Sequence, residues 1–430
     1  MMRKGFFLLL MISVGLAAEG KDVNVRAYGA KPDGKTKVTE ALRRAIDDVH
    51  NSGGGKVILS GGVFLTAPIE IKSGVELRIE ADAVLLGSPD LEDYKDRPDG
   101  HTVAANLPRL RNAALIYAEE ATNIAITGRG TIDANGKHFV REKTASDETA
   151  WGYVRTVPNN ESVPRVVFFS GCRDVTVTDV TMTGQPAGWS YWIHDCDLVH
   201  FDRCKILADV EYPNNDGIHI NSSRDVTVSN CVIETGDDAI IVRANNRSLR
   251  ENKVCERVTV TNCSIHSWAN GIRIGWVNDG VIRDCVFSNI VMTDTNNGIT
   301  IQLPGKTESD YGREATLIEN LCFSNIVMDR MYAHPVMATI SEDEFTKVEA
   351  VRNIRFQGIR FRGLQFPFVK GTKDHPFVDF TFSDCSFEKV SDDDLPGYKE
   401  HGSSRWDRHA DETFIHTKNL VFNNTSFTTY

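Results

Sequence analysis

The sequence predicts an all-β fold, a parallel β-helix or solenoid in which short strands wind into successive coils behind one N-terminal capping helix. Three observations carry this. The pattern apolar-x-apolar-x-x-apolar-x-apolar recurs along most of the 430 residues, with clear copies at Val175 to Met182, Val226 to Ile233, Val258 to Ile265 and Val378 to Phe387. Alternation with a period of two is strand patterning, and the two-residue step between paired runs is a turn. No helical periodicity separates the copies, as a doubly wound sheet would require.

Taken in order, the chain opens with Arg3 and Lys4, an apolar run from Phe6 to Val14, and small residues at Gly15, Ala17 and Ala18. This is the layout of a secretory signal over residues 1–17, and the run is shorter than the roughly 20 residues a spanning helix needs. No later stretch is long and apolar enough to span a membrane, and residues 18–430 read as a single β-helix domain. A helix is predicted from Val38 to His50, because Ala41, Leu42, Ala45, Ile46 and Val49 share one face and Gly53, Gly54 and Gly55 follow as a stop. Its apolar face suits the open end of the coil. The glycine triplet precedes Lys56 without the Gly-Lys-Ser/Thr ending of a phosphate loop, which argues against nucleotide binding.

Anchoring each copy on one equivalent position gives Val177, Phe201, Val228, Val260, Ile282, Phe323, Phe356, Phe382 and Phe422. Spacings of about 20 to 40 residues suit single coils with loops of different lengths. One coil cannot bury its own inner face, so stacked coils close a continuous core. Three residues past the anchors stand Val180, Cys204, Cys231, Cys263, Cys285, Ile326, Ile359, Cys385 and Thr425; five before them stand Cys172, Cys196 and Cys255. Cysteines in such a register are expected to be stacked core thiols, packing as small apolar groups, rather than disulfides or metal ligands. Residues 135–163 and 303–316 lack the repeat and are read as loops bordering a cleft.

The net charge of −11 argues against nucleic acid and against nonspecific attraction to anionic surfaces. The chemistry gathers in the strands that follow the anchors. Asn214 to Ile220 and Gly236 to Val242 are copies in which Asp216 corresponds to Asp238, with Asp237 adjoining; the same position is Asn270 and then Asn297 in the next copies. Alternation points the isoleucines inward and sends His219, Asn221, Ile241, Arg243, Arg273, Thr300 and Gln302 to a solvent-facing wall. Turn capping is the plain reading of Asp216 and Asp238. Against it, acids on neighbouring coils repel, so one stays protonated beside an ionised partner, and glycosidic cleavage needs that division of labour. Arg243 and Arg273 offer planar donors for an acidic sugar. Trp189, Trp192, Trp268 and Trp276 fall near the same place as packing or as sugar-stacking rings, with Tyr332 and His334 as weaker candidates.

At these residues the chain resembles the polygalacturonase family of glycoside hydrolases, family 28. Its Asn-Thr-Asp motif is similar to Asn214, Asn215 and Asp216, and its Gly-Asp-Asp is present as Gly236, Asp237 and Asp238. The early segment Ala27 to Gly34, then Gly53 to Gly55 and Leu77 to Ile79, also looks like that family's N-terminal region. The resemblance implies a right-handed coil, an inverting hydrolysis of an α-linked, uronic-acid-containing pectic glycan without a cofactor, Asp237 as general acid, and Asp216 and Asp238 activating water. Two motifs depart from the family. Ala269, Asn270 and Gly271 stand where Gly-His-Gly is expected, and Thr300, Ile301 and Gln302 where Arg-Ile-Lys is expected. Substrate contacts are therefore assigned to His219, Arg243, Asn270, Arg273 and Gln302, with the two arginines as candidate replacements for the missing cations. A calcium-assisted lyase and a non-catalytic glycan-binding β-helix are the competing functions.

Overall fold

The computed structural model describes residues 20–107, 111–142, 144, 155–156, 163–305, 314–395 and 413–430. The predicted signal over residues 1–17 lies outside the described residues, as does much of 135–163 and of 303–316. The chain winds as a right-handed parallel β-helix. A typical coil has three strands, for example Arg224–Ser229, Val232–Thr235 and Ile240–Arg243, which pair in parallel with Cys255–Thr261, Ser264–Ser267 and Asn270–Ile274 of the next coil.

The third strands of successive coils build one 11-stranded parallel sheet. Six of its strands frame the site: β1 (Tyr191–His194), β2 (Ile218–Asn221), β3 (Ile240–Arg243), β4 (Asn270–Ile274), β5 (Asn297–Leu303) and β6 (Val336–Ile340). At the N-terminal end, helix α1 spans Thr39–Asn51 and buries Ala41, Leu42, Ala45, Ile46 and Val49, the face its spacing predicts. It ends where Gly53 and Gly54 take positive φ.

The anchor register runs through the core. Val177 pairs with Phe201, Phe201 with Val228, Val228 with Val260, and then Val260 with Phe287. Ile282 was the anchor expected from sequence, and the structure corrects it: Ile282 pairs with Cys255, five residues earlier in the register. Val281–Thr293 is one unbroken strand whose inward residues include both Ile282 and Phe287, so apolar patterning alone does not separate them. With the anchor moved, Ile290 takes the position three past it and Cys285 lies two before it. From Phe287 onward the anchors form a column of rings, Phe287 on Phe323 at 4.8 Å, Phe323 on Phe356 at 5.2 Å, Phe356 on Phe382 at 4.6 Å and Phe382 on Phe422 at 5.2 Å.

All nine cysteines are free thiols, and all but the half-buried Cys322 are buried. Between the first and second strands of each coil the backbone turns through one residue of positive φ, among them Asp179, Asn230, Asn262, Asn289 and Asn325. Asn and Asp tolerate that left-handed region better than other side chains. The Asn325 amide also donates to Asn289 Oδ1 at 2.7 Å, tying one corner to the next.

Candidate active site

The register of the third-strand sheet stacks the acids. Ile218 of β2 pairs with Ile240 of β3, which pairs with Ile272 of β4, and Asn270 pairs with Asn297 of β5. Two residues upstream in the same register, Asp216, Asp238, Asn270 and Asn297 therefore sit one above another at the corner leading into the sheet. Backbone bonds fix the stack: Gly217 N donates to Asp238 O and Ala239 N to Asn270 O, both at 2.9 Å. The next position is His334, whose N–H donates to Asn297 Oδ1 at 3.1 Å.

Asp237 is held from every side. Its Oδ2 accepts from the Asn214 backbone at 3.1 Å and the Asn214 amide at 3.2 Å, and its Oδ1 accepts from Asp238 N at 3.0 Å. Its carbonyl accepts from Thr235 Oγ1 at 2.5 Å and Ser267 Oγ at 2.7 Å. Asn215, fully buried, joins the two acidic segments: its Oδ1 accepts from Gly236 N and Asp237 N, while its Nδ2 donates to Asp209 O at 2.6 Å. Gly236 lets the preceding loop lie against this turn, since a Cβ there would come within 2.3 Å of Tyr212 O.

Asp238 is 3% exposed and has protein partners on both oxygens. Oδ1 accepts from the Asn270 amide, and Oδ2 is 2.9 Å from the Arg273 guanidinium. Arg273 donates further to Gln302 Oε1 at 3.2 Å, and its guanidinium carbon lies 3.9 Å from the Trp276 ring centre. Asn270 Oδ1 accepts from Thr300 Oγ1 at 2.6 Å and Asn297 Nδ2 at 3.2 Å. Arg243 makes a two-pronged pair with the fully buried Asp279, at 2.5 and 2.7 Å.

His219 was expected on a solvent-facing wall with Asn221, Ile241, Arg243, Arg273, Thr300 and Gln302. The structure places this wall on the outside of the coil yet covers most of it: His219, Asn221, Ile241, Arg243 and Thr300 are all buried, and only Arg273 and Gln302 stay partly open. Alternation decides which side of a strand a residue takes, whereas loops decide whether water reaches it. Asn221 donates to Asn245 O, Asp279 clasps Arg243, and Leu107 packs with Trp189 and Trp192. His219 lies with its ring 4.1 Å from Trp189 and its Nδ1 3.9 Å from Asp216 Oδ2. Burial, then the charges of Arg243, Arg165 and Arg273, push its pKa well below the ordinary histidine value, so it is neutral.

Trp189 and Trp192 are buried beneath Arg165, whose guanidinium carbon is 4.1 Å from the Trp192 ring centre, and Trp268 is half-buried. Tyr332 belongs to a separate apolar cluster with Leu364, Val390 and Leu395. Sequence reasoning missed Asn215 and Asp279. The first was visible as the middle residue of Asn214 to Asp216; the second sits in an Asn278, Asp279, Gly280 run that reads simply as a turn. Replacing Asn215 with Ala removes the acceptor for two backbone donors, and we expect kcat to fall by about 10-fold or more with a destabilisation of about 1–3 kcal/mol. Turnover and urea melts of Asn215→Ala check both.

A family model for glycosyl hydrolases family 28 matches residues 97–392, which contain every one of these groups. The chain belongs to glycosyl hydrolase family 28. Residues 22–87 match a second model, described as rhamnogalacturonase A/epimerase, pectate lyase-like. Among curated relatives of this family 28 chain, the endo-polygalacturonase of Pectobacterium carotovorum is 28% identical over 337 residues, covering 76% of this chain and 78% of that protein. The exo-poly-alpha-D-galacturonosidase of Dickeya chrysanthemi is 25% identical over 371 residues; the match covers 77% of this chain but 59% of that protein's length. In fold, the chain is similar to an exopolygalacturonase from Thermotoga maritima, with a TM-score of 0.71, 22% identity, and 94% and 92% of the two chains covered.

Proposed function

We propose that this family 28 chain hydrolyses an α-linked glycosidic bond in a uronic-acid-containing pectic polysaccharide or oligosaccharide, with inversion at the anomeric carbon. The observation that carries this reading is the stack of Asp216 on Asp238 with Asp237 beside them, three carboxylates held at one corner of a rigid coil. Asp237 serves as the general acid, protonating the leaving oxygen. Asp216 and Asp238 take the water that attacks from the other side, as inverting carboxylates do. The curated relatives named above are polygalacturonases of both exo and endo kinds, which supports the pectic substrate.

His219, Arg243, Asn270, Arg273 and Gln302 form the sugar-facing rung and its support. Residues 1–17 direct export, and the remainder is one catalytic β-helix; N-terminal sequencing of secreted protein tests the leader. The activity is tested by incubating purified protein with a panel of pectic fragments and following product sizes over time. A hydrolase gives new reducing ends with no metal requirement. Unsaturated products abolished by a chelator establish a lyase instead, and binding without any cleavage establishes a glycan-binding module.

A further inference from the structure

The two places where this chain departs from its family's motifs, Ala269 to Gly271 and Thr300 to Gln302, are not independent. They meet on one acid. Thr300 donates to Asn270, Asn270 donates to Asp238, Arg273 pairs with the other oxygen of Asp238, and Gln302 accepts from the far side of Arg273. Trp276 covers the guanidinium face at 3.9 Å, and the Arg273 Nε is buried. The side chain is only 14% exposed.

The other candidate cation is equally committed. Arg243 gives both prongs of its guanidinium to Asp279, which is fully buried, and its own side chain is 11% exposed. Turning either arginine toward a substrate carboxylate would leave a buried Asp238 or Asp279 without its partner, and an unpaired buried charge is costly. A uronate docking on this rung would also face three clustered carboxylates. His219 is neutral and adds no positive charge. An uncharged sugar meets no such conflict, because its hydroxyls donate to carboxylates and accept from the amides of Asn270 and Gln302.

We propose that Asn270, Arg273, Thr300 and Gln302 form a positioning network for Asp238, and that the cleavage rung consequently takes an uncharged sugar, neutral or esterified, within the pectic glycan. This rests on the hydrolase reading above and narrows its substrate. The uronic acids of the glycan are then recognised away from the scissile linkage. Arg273 is a positioning residue in this arrangement, acting on the sugar only through Asp238.

The test has two arms. The unaltered protein is given matched oligosaccharides that differ only in whether the sugar at the cleaved position carries a free carboxylate, a methyl ester or a reduced, neutral carbon. The uncharged forms are expected to be cleaved at least as fast as the free acid; a 10-fold or greater preference for the free acid overturns the proposal. In the second arm, Arg273→Ala is expected to lower kcat by about 100-fold, the cost of misplacing a reacting group, with KM changed little. Arg273→Lys, which keeps a charge but not the fork, should recover part of that loss. A large rise in KM at unchanged kcat, confined to the free acid, means that Arg273 grips substrate and overturns the proposal. Should Arg273→Ala fail to fold in a thermal melt, the substrate series on the unaltered protein decides alone. Absence of cleavage of every glycan by the unaltered protein would defeat the hydrolase reading itself, whereas cleavage with a strong preference for the free acid defeats only this inference.

Discussion

Asp237→Asn is expected to abolish turnover, with kcat reduced by about 100- to 10,000-fold on every substrate the parent protein cleaves, the range general-acid catalysis contributes. The amide has nearly the shape of the carboxyl group and still presents an oxygen to the Asn214 backbone and to Asp238 N, the two N–H groups that hold Asp237. The carbonyl of residue 237, bonded by Thr235 and Ser267, is untouched. Folding should therefore be nearly unchanged while proton donation to the leaving oxygen is lost. A unimpaired melting curve beside lost activity supports this role. The role is wrong if Asp237→Asn keeps more than a tenth of the parent's turnover. Substrates with a good, weakly basic leaving group should be the least affected, because their departure needs little protonation.

The second large effect is on stability. Phe356 is fully buried and lies in the middle of the ring column, stacked at 10° on Phe323 and at 10° on Phe382. Phe356→Ala should destabilise the protein by about 3–5 kcal/mol, since the removed ring leaves a cavity that two rigid neighbouring coils cannot close. Solenoids are held by nearest-neighbour interfaces, so the loss acts on both adjoining coils. Urea denaturation reads it. The same substitution at the column's end, Phe422→Ala, removes a ring that is 39% exposed and should cost clearly less. Equal costs at the two positions would mean that the column does not stack as described.

The comparison of these two residues with the site shows where sequence patterning is strong and where it stops. Apolar spacing located the coils, the cysteine columns and the capping helix because each depends on which residues must leave water, a property written along the chain. It misplaced one anchor, Ile282 for Phe287, because both residues point inward in one unbroken strand and either satisfies the pattern. The correspondence of Asp216 with Asp238 was legible for the same reason that the coils were, through the isoleucines that follow each acid. The partners of those acids were not. Arg243 and Arg273 read as two free cations on a wall, and nothing in their spacing names Asp279 or Asp238 as the groups they face.

The sequence by itself determined the repeating coil, its buried register and the convergence of Asp216, Asp237 and Asp238 at one corner, since parallel pairing in a fixed register carries a residue's position from coil to coil. Only the tertiary structure decided that most of the outer wall is roofed by loops, that Asn215 clamps the two acidic segments together, and that both arginines are committed to buried carboxylates. Those outcomes depend on loops of unequal length folding over the sheet and on side-chain directions within hydrogen-bond reach, which periodicity does not encode.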